Sequence, residues 1–257
     1  MTNTVCVLTN FRSGSTSFTL LKSREFDLPY KGELFSHERP WDYAGHRGHW
    51  EELDIARKQP DNPLVKTFTR DRDFFGDYLK GIQSGEQICF KLMPDHIVKT
   101  WELKEDPTLD ERDVEVVAAC DKVYLLYRRD WEAQVLSWVG MRSDGRFGQN
   151  GFKNHRHGLV HGVDYHFDMH VGTEYREDVV KRKVKGDMHG IFVQQTIHQL
   201  INNYKRMAYI QQQVPNIEVV CMEDYFATQP YKKYNHEYVW VDGKPDIPDF
   251  DVEGLFV

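Results

Sequence analysis

Short, unbroken runs of hydrophobic residues recur along the chain. They lie at residues 5–8, 87–93, 122–127 and 217–222. Unbroken runs of this length are typical of parallel strands that helices cover on both faces. We therefore expect these four segments to form a central parallel sheet.

Helical patterns separate these runs. Residues 18–21 supply apolar positions for a first helix, and residues 74–82 and 131–139 predict two more. The longest helix is predicted at residues 191–213, where apolar side chains recur at spacings of three and four, and Pro215 then stops it. This alternation of strands and helices predicts a three-layer α/β fold with a central parallel sheet.

Three segments do not follow this alternation. Residues 36–66 are rich in His, Trp, Pro and charge, and residues 140–190 are rich in Gly and His. Loops of this length within a compact domain are usually functional lids or flexible segments. The tail at residues 229–257 contains three prolines and is expected to be irregular. We interpret residues 1–257 as one domain that carries these insertions.

The composition narrows the class of protein. With 33 Lys and Arg against 40 Asp and Glu, the net charge of −7 argues against a nucleic-acid binder but allows a local anion pocket. The hydrophobic fraction of 40% excludes wholesale disorder. Four cysteines without CxxC spacing are typical of a reducing compartment. Since no long apolar stretch or secretory signal is evident, we expect a soluble, cytoplasmic protein with no membrane partner.

The segment after the first apolar run has the composition of an anion-binding loop. Residues 9–17 read TNFRSGSTS. Successive N–H groups of small residues can curl around an anion, and the N-terminus of the following helix adds positive charge. The candidate ligands are Arg12, Ser13, Gly14, Ser15, Thr16 and Ser17. The sequence GxxxxGK[ST] is missing, which disfavours an ordinary ATPase loop. A Ser-rich turn that only caps the helix is the alternative.

A second candidate anion contact follows the third apolar run. Arg129 comes just after this run, and Ser137 lies eight residues on, about two helical turns into the next helix. Both side chains could face one anion at the carboxyl edge of the sheet, where open α/β folds bind ligands. The alternative is an exposed pair of arginines, Arg128 and Arg129, and an ordinary helical serine.

These two segments, with residues 219–225 (VVCMEDY), resemble sulfotransferases that use 3′-phosphoadenosine 5′-phosphosulfate (PAPS). The resemblance covers roughly residues 4–22, 85–96, 120–140 and 190–227. It implies a P-loop-like sulfotransferase fold, a loop at residues 12–17 that grips the 5′-phosphosulfate, and a 3′-phosphate held by Arg129 and Ser137. It implies no obligatory metal. The family also has an Arg-Lys-Gly element that follows the strand ending in Glu-Asp. Residues 182–186 (RKVKG) look similar, but they precede the run at 217–222, so chain order tells against equating them. Lys232 and Lys233 follow that run and are better placed in sequence for this role.

The reaction implied by this resemblance needs cations and a base. Arg12 is the first candidate cation, and Lys91 is the second. Cytosolic members use a His before a proline, but residues 90–96 read FKLMPDH, which leaves His96 as a displaced candidate base. Other members use a Glu just after the first helix, and Glu33 resembles that position. Burial would raise the pKa of Glu33 and make it a better base; His37 and a solvated Glu33 remain alternatives.

The acceptor is expected to be a small molecule or a saccharide. The cluster of histidines at residues 155–170 has no Cys and no reliable carboxylate partner to complete a metal site, so we expect a polar loop rather than a metal centre. Two other functions remain open. One is a P-loop-like kinase that uses ATP and magnesium, against which the missing loop lysine counts. The other is a non-catalytic relative that keeps the anion pocket.

Overall fold

The computed structural model of the protein describes residues 2–35, 74–97, 111–143, 180–184, 189–228, 236–240 and 246–256. The strands are β1 (Thr4–Thr9), β2 (Ile88–Leu92), β3 (Lys122–Tyr127), β4 (Val180–Val184), β5 (Glu218–Cys221) and β6 (His236–Trp240). The helices are α1 (Ser15–Glu25), α2 (Phe74–Gln83), α3 (Arg112–Ala118), α4 (Trp131–Ser143), α5 (His189–Gln213) and α6 (Met222–Ala227). Short 3₁₀ turns lie at Pro94–His96 and Glu253–Leu255.

Four parallel strands form the central sheet in the order β2-β1-β3-β5. All four were predicted from the hydrophobic runs, and the α/β fold is confirmed. Every residue of β1 is buried, which agrees with its central place in the sheet. Because the strands are parallel, the segments that follow Thr9, Leu92, Tyr127 and Cys221 all begin at the same edge of the sheet.

Two apolar clusters hold helices against opposite faces of this sheet. Since side chains alternate along a strand, Cys6 and Leu8 of β1 join one cluster, whereas Val5 and Val7 join the other. The larger cluster includes residues of α2, α3, α4 and α5, and the smaller one includes residues of α1 and α6. Fully burying a Leu, as at Leu200 of α5, contributes about 1.5–3 kcal/mol.

Three local predictions are wrong. The tail beyond residue 229 is not wholly irregular, because it contains β6 and a 3₁₀ turn. Residues 182 and 183 belong to the 140–190 segment that was expected to be a long loop, but they lie in β4, which pairs in parallel with β6. Met222 begins α6 instead of ending a strand. Strand pairing between segments more than fifty residues apart leaves a weak local pattern, because strand preference depends on neighbouring strands.

None of the helices in the described parts of the chain is long and apolar enough to cross a membrane.

Candidate functional site

The loop between β1 and α1 turns sharply at the carboxyl edge of the sheet. Gly14 has a φ of 74°, and a Cβ atom there would lie 3.0 Å from Sδ of Met222, so the packing of α6 and the backbone both favour glycine. Arg12 has a φ of 60°. A non-glycine residue in this region costs about 1–3 kcal/mol, and such strain is concentrated at functional sites.

Polar contacts anchor this loop to α5. The side-chain Nδ2 atom of Asn10 donates a hydrogen bond to the carbonyl oxygen of Leu200 at 2.8 Å. The Asn10 Oδ1 atom accepts hydrogen bonds from the Phe11 N–H at 2.9 Å and from Asn203 Nδ2 at 3.1 Å. The loop is therefore held in place before any ligand binds.

The hydroxyl groups of the loop have different environments. Ser13 is fully buried, and its Oγ donates to the carbonyl oxygen of Asn10 at 2.7 Å. This hydroxyl therefore stabilises the loop itself. Ser15, Thr16 and Ser17 instead lie in the first turn of α1, which contains no acidic residue. A helix N-terminus without acidic side chains is suited to binding an anion.

A buried lysine and a glutamate meet at the end of β2. The Lys91 Nζ atom lies 2.8 Å from Glu33 Oε1 and donates to Thr16 Oγ1 at 2.9 Å. The exposed fractions of the two charged side chains are 8% for Lys91 and 19% for Glu33. The structure thus brings together three residues that the sequence predicted separately.

Backbone pairing with β2 positions Glu33. The Lys31 N–H donates to the carbonyl oxygen of Cys89, and the Lys91 N–H donates to that of Gly32, both at 2.9 Å. The segment that follows α1 therefore runs beside β2. Gly32 has a φ of 61°, which lets the chain turn so that the next residue reaches Lys91.

His96 lies beside this ion pair. It ends the short turn after β2, and its Nε2 atom is 3.9 Å from Glu33 Oε2. Its Nδ1 atom is buried and makes no hydrogen bond within the described residues. Burial raises the pKa of the adjacent Asp95, although the charge of His96 and a hydrogen bond from Gln199 oppose this shift. Two of the three sequence-predicted candidates for the base, Glu33 and His96, thus lie at the end of β2.

A second part of the site lies between the loop and α4. The Arg12 Nε atom donates to Ser137 Oγ at 2.9 Å. Next to this contact, Phe11 stacks on Trp138 with ring centroids 4.4 Å apart, and Gln134 donates to the carbonyl oxygen of Phe11 at 2.6 Å. Helix α4 therefore holds the loop from the side and brings Ser137 to Arg12.

Arg129 makes different contacts from those expected. Its guanidinium donates to both carboxylate oxygens of Asp224, at 3.0 and 2.6 Å, and to Glu253 at 3.1 Å. These hydrogen bonds raise the pKa of Arg129, and the Arg129 hydrogen bond lowers the pKa of Asp224. The side chain of Arg129 is 43% exposed. The structure therefore does not join Arg129 to Ser137: Arg129 links β3 to α6 and the C-terminal turn.

The sequence prediction missed Arg128. Its Nη1 atom donates to the carbonyl oxygen of Arg12 at 3.3 Å, and its Nε atom lies 3.7 Å from Glu223 Oε1. Burial acts to raise the pKa of Glu223, but hydrogen bonds from the backbone N–H groups of Arg129 and Asp130 lower it below its ordinary value. The signal available in the sequence was the pair of adjacent arginines.

Several predicted features lie outside the described residues. They are His37, the histidines at 155–170, Lys232 and Lys233. Within the parts of the chain that the structure describes, no group of three or more His, Cys, Asp or Glu residues is arranged to hold a metal ion.

At the carboxyl edge of the sheet, the site thus combines a helix N-terminus, a buried Lys91–Glu33 pair and a contact between Arg12 and Ser137. Comparisons with protein-family models, with curated proteins and with solved structures found no match to this chain. The basis for a function is therefore the chemistry of these residues.

Proposed function

We propose that this protein is a sulfotransferase that moves the sulfuryl group of PAPS to a hydroxyl or amine of a small-molecule or saccharide acceptor. One observation carries the proposal: Lys91, Glu33 and Thr16 meet at the start of α1, beside the loop whose sequence resembles that of the family. A cation, a carboxylate and a helix N-terminus in one place are what transfer of an anionic group to a hydroxyl requires.

The proposed reaction is an in-line displacement at sulfur. The acceptor oxygen forms a bond to sulfur while the bond from sulfur to the bridging oxygen of the 5′-phosphate breaks. The acceptor proton passes to Glu33, and the products are a sulfated acceptor and 3′-phosphoadenosine 5′-phosphate. Negative charge that develops on the leaving phosphate is stabilised by Lys91, Arg12 and the N-terminus of α1. Glu33 acts in this scheme as the general base.

The proposal includes two finer assignments. We assign the α/β fold to the P-loop-like sulfotransferase type, because an anion-binding loop directly follows the first, central strand. We also assign a cytoplasmic location, which is supported by the four cysteines, Cys6, Cys89, Cys120 and Cys221, being free thiols.

Thermal unfolding with a panel of nucleotides tests the donor. The protein is heated with 3′-phosphoadenosine 5′-phosphate, with adenosine 5′-phosphate, and with ATP and magnesium. A ligand at 100 times its dissociation constant stabilises a protein by about 2.7 kcal/mol, which gives a clear shift in Tm. We expect the largest shift with the bisphosphate. A larger shift with ATP and magnesium would favour a kinase, and no shift with any nucleotide would contradict donor binding.

A pair of serine variants tests where the nucleotide binds. Ser137→Ala removes the hydroxyl that contacts Arg12, so the shift with the bisphosphate should decrease. The matched control is Ser84→Ala, because Ser84 is an exposed serine that donates only to a nearby backbone oxygen. An equal shift for the two variants would contradict a donor site at α4.

A further inference from the structure

We propose that Arg128, and not Arg129, supplies the guanidinium for the nucleotide phosphate that binds beside Ser137. This inference rests on the proposed function, since it concerns the phosphate farther from the sulfuryl group. It departs from the expected pairing of Arg129 with Ser137.

The two arginines contact different charged groups. Arg129 lies between two carboxylates, those of Asp224 and Glu253, and it donates hydrogen bonds to both. A phosphate approaching Arg129 would meet an excess of negative charge. Its binding would also compete with the two hydrogen bonds that Arg129 already donates to Asp224.

Arg128 lies instead beside a second arginine. Its guanidinium contacts the backbone of Arg12, whose side chain reaches Ser137. One carboxylate, Glu223, lies near Arg128, and this carboxylate already accepts hydrogen bonds from the backbone N–H groups of Arg129 and Asp130. Among the described residues, the groups that contact the guanidinium of Arg128 are thus the backbone of another arginine and a carboxylate that already accepts two backbone hydrogen bonds, which leaves this guanidinium suited to a phosphate.

The hydrogen-bond donors of Arg128 are also available. Within the described residues its guanidinium makes one hydrogen bond, to the carbonyl oxygen of Arg12, and its buried Nε has no hydrogen-bond partner. A guanidinium offers five N–H donors, and buried donors without partners are rare. The side chain is only 13% exposed, so a phosphate bound here would be partly shielded from water.

Calorimetric titration of paired variants tests this assignment. Arg128→Gln and Arg129→Gln are each titrated with 3′-phosphoadenosine 5′-phosphate and with adenosine 5′-phosphate, which lacks the second phosphate. We expect Arg128→Gln to weaken binding of the bisphosphate by about tenfold or more, as expected for a lost hydrogen bond to a charged group, and to remove the preference over adenosine 5′-phosphate. Arg129→Gln should keep that preference.

Two further variants guard against misfolding and indirect effects. Arg128→Lys retains the charge but not the fork of donors, so it should fold like the parent and show an intermediate affinity. Asp224→Asn frees Arg129 from its bidentate partner. If Arg129 were the ligand, this variant would bind the bisphosphate more tightly; we expect no change.

The outcomes separate this inference from the proposed function. If the parent protein prefers the bisphosphate, and Arg129→Gln loses that preference as fully as Arg128→Gln or more so, the assignment to Arg128 is overturned while the donor site stands. If the parent shows no preference for the bisphosphate over the monophosphate, the donor proposal fails, and the assignment fails with it.

Discussion

The two ends of the candidate site satisfy their charges in different ways. At the end of β2, one cation and one carboxylate, Lys91 and Glu33, meet directly and are largely buried. At the end of β3, the side chains of two adjacent arginines make different contacts. Arg128 contacts the β1–α1 loop, whereas Arg129 is exposed and lies between the carboxylates of Asp224 and Glu253.

Burial determines how much each set of charged contacts contributes to stability. Breaking a buried ion pair by removing one partner costs about 3–5 kcal/mol, whereas an exposed pair contributes about 0–1 kcal/mol. The Lys91–Glu33 pair therefore contributes to stability, and in the proposed reaction Glu33 also serves as the base. At β3 the exposed Arg129 contacts contribute little each, and the shielded Arg128 is the stronger anion ligand. Four predictions test this contrast, from the largest effect to the smallest.

Glu33→Gln should produce the largest loss of activity. The amide keeps the shape of the side chain but accepts no proton, and general-base catalysis contributes about 10²–10⁴-fold to the rate. Turnover, measured as release of 3′-phosphoadenosine 5′-phosphate from PAPS with a phenol or saccharide acceptor, should fall by that factor, while affinity for the bisphosphate is retained. Glu218→Gln, an exposed carboxylate at the opposite edge of the sheet, is the control. Full turnover by Glu33→Gln would remove Glu33 from the mechanism.

Lys91→Met and Lys122→Met compare a buried with an exposed lysine pair. Lys91→Met leaves Glu33 without its nearby cation and should lower the free energy of unfolding by about 3 kcal/mol. Lys122 pairs with Glu218 at 2.7 Å, but their side chains are 33% and 51% exposed, so the loss of Lys122 should cost less than about 1 kcal/mol. Urea denaturation measures both changes. Equal changes would mean that burial does not distinguish the two pairs.

Arg12→Gly should weaken binding of 3′-phosphoadenosine 5′-phosphate but leave the free energy of unfolding nearly unchanged. Glycine adopts the left-handed backbone without strain, which offsets the lost hydrogen bond to Ser137, so the free energy of unfolding should change by less than about 1 kcal/mol. Affinity for the bisphosphate should fall about tenfold or more. Asn216→Gly is the matched control, since Asn216 has a φ of 66° far from the loop in sequence. Unchanged affinity in Arg12→Gly would place the anion elsewhere.

Glu223→Gln should have the smallest effect, a loss of stability to unfolding that depends on pH. Because the pKa of Glu223 is lowered on folding, its carboxylate stabilises the protein at pH values above the unfolded pKa, and this contribution is lost as pH falls through the folded pKa. The variant should be less stable by about 1 kcal/mol at pH 7. Denaturation at pH 7, 5.5, 4 and 3 should show the same difference at pH 7 and 5.5 and a smaller one at pH 4 and 3, below the ordinary glutamate pKa of 4.5. A difference that stays constant down to pH 3 would contradict this role.

The sequence was sufficient to predict the central sheet and the end of β2. Strands β1, β2 and β3 are continuous apolar runs, which only a sheet covered on both faces accommodates. Since parallel strands end at one edge of a sheet, the sequence predicts Arg12, Lys91 and His96 at that edge. Glu33 follows a helix, so only the family resemblance assigned it to the site. Strands β4 and β6 were missed, because their pairing joins distant segments that lack such runs.

The division of roles between Arg128 and Arg129 could not be predicted. Their spacing to Ser137 differs by one residue, and both follow the same strand. What separates them is contact with Glu223, Asp224 and Glu253, which lie about a hundred positions later in the chain. No local pattern carries that information, because it depends on how α6 and the C-terminal turn pack at the end of β3.

A crystal structure with bound 3′-phosphoadenosine 5′-phosphate tests the central claim most directly. The account predicts the 5′-phosphate at the N-terminus of α1, within hydrogen-bond distance of the loop N–H groups and of Lys91. It predicts the second phosphate beside Ser137 and Arg128. A nucleotide bound away from the β1–α1 loop, or no nucleotide bound at saturating concentration, would contradict a donor site at this edge of the sheet.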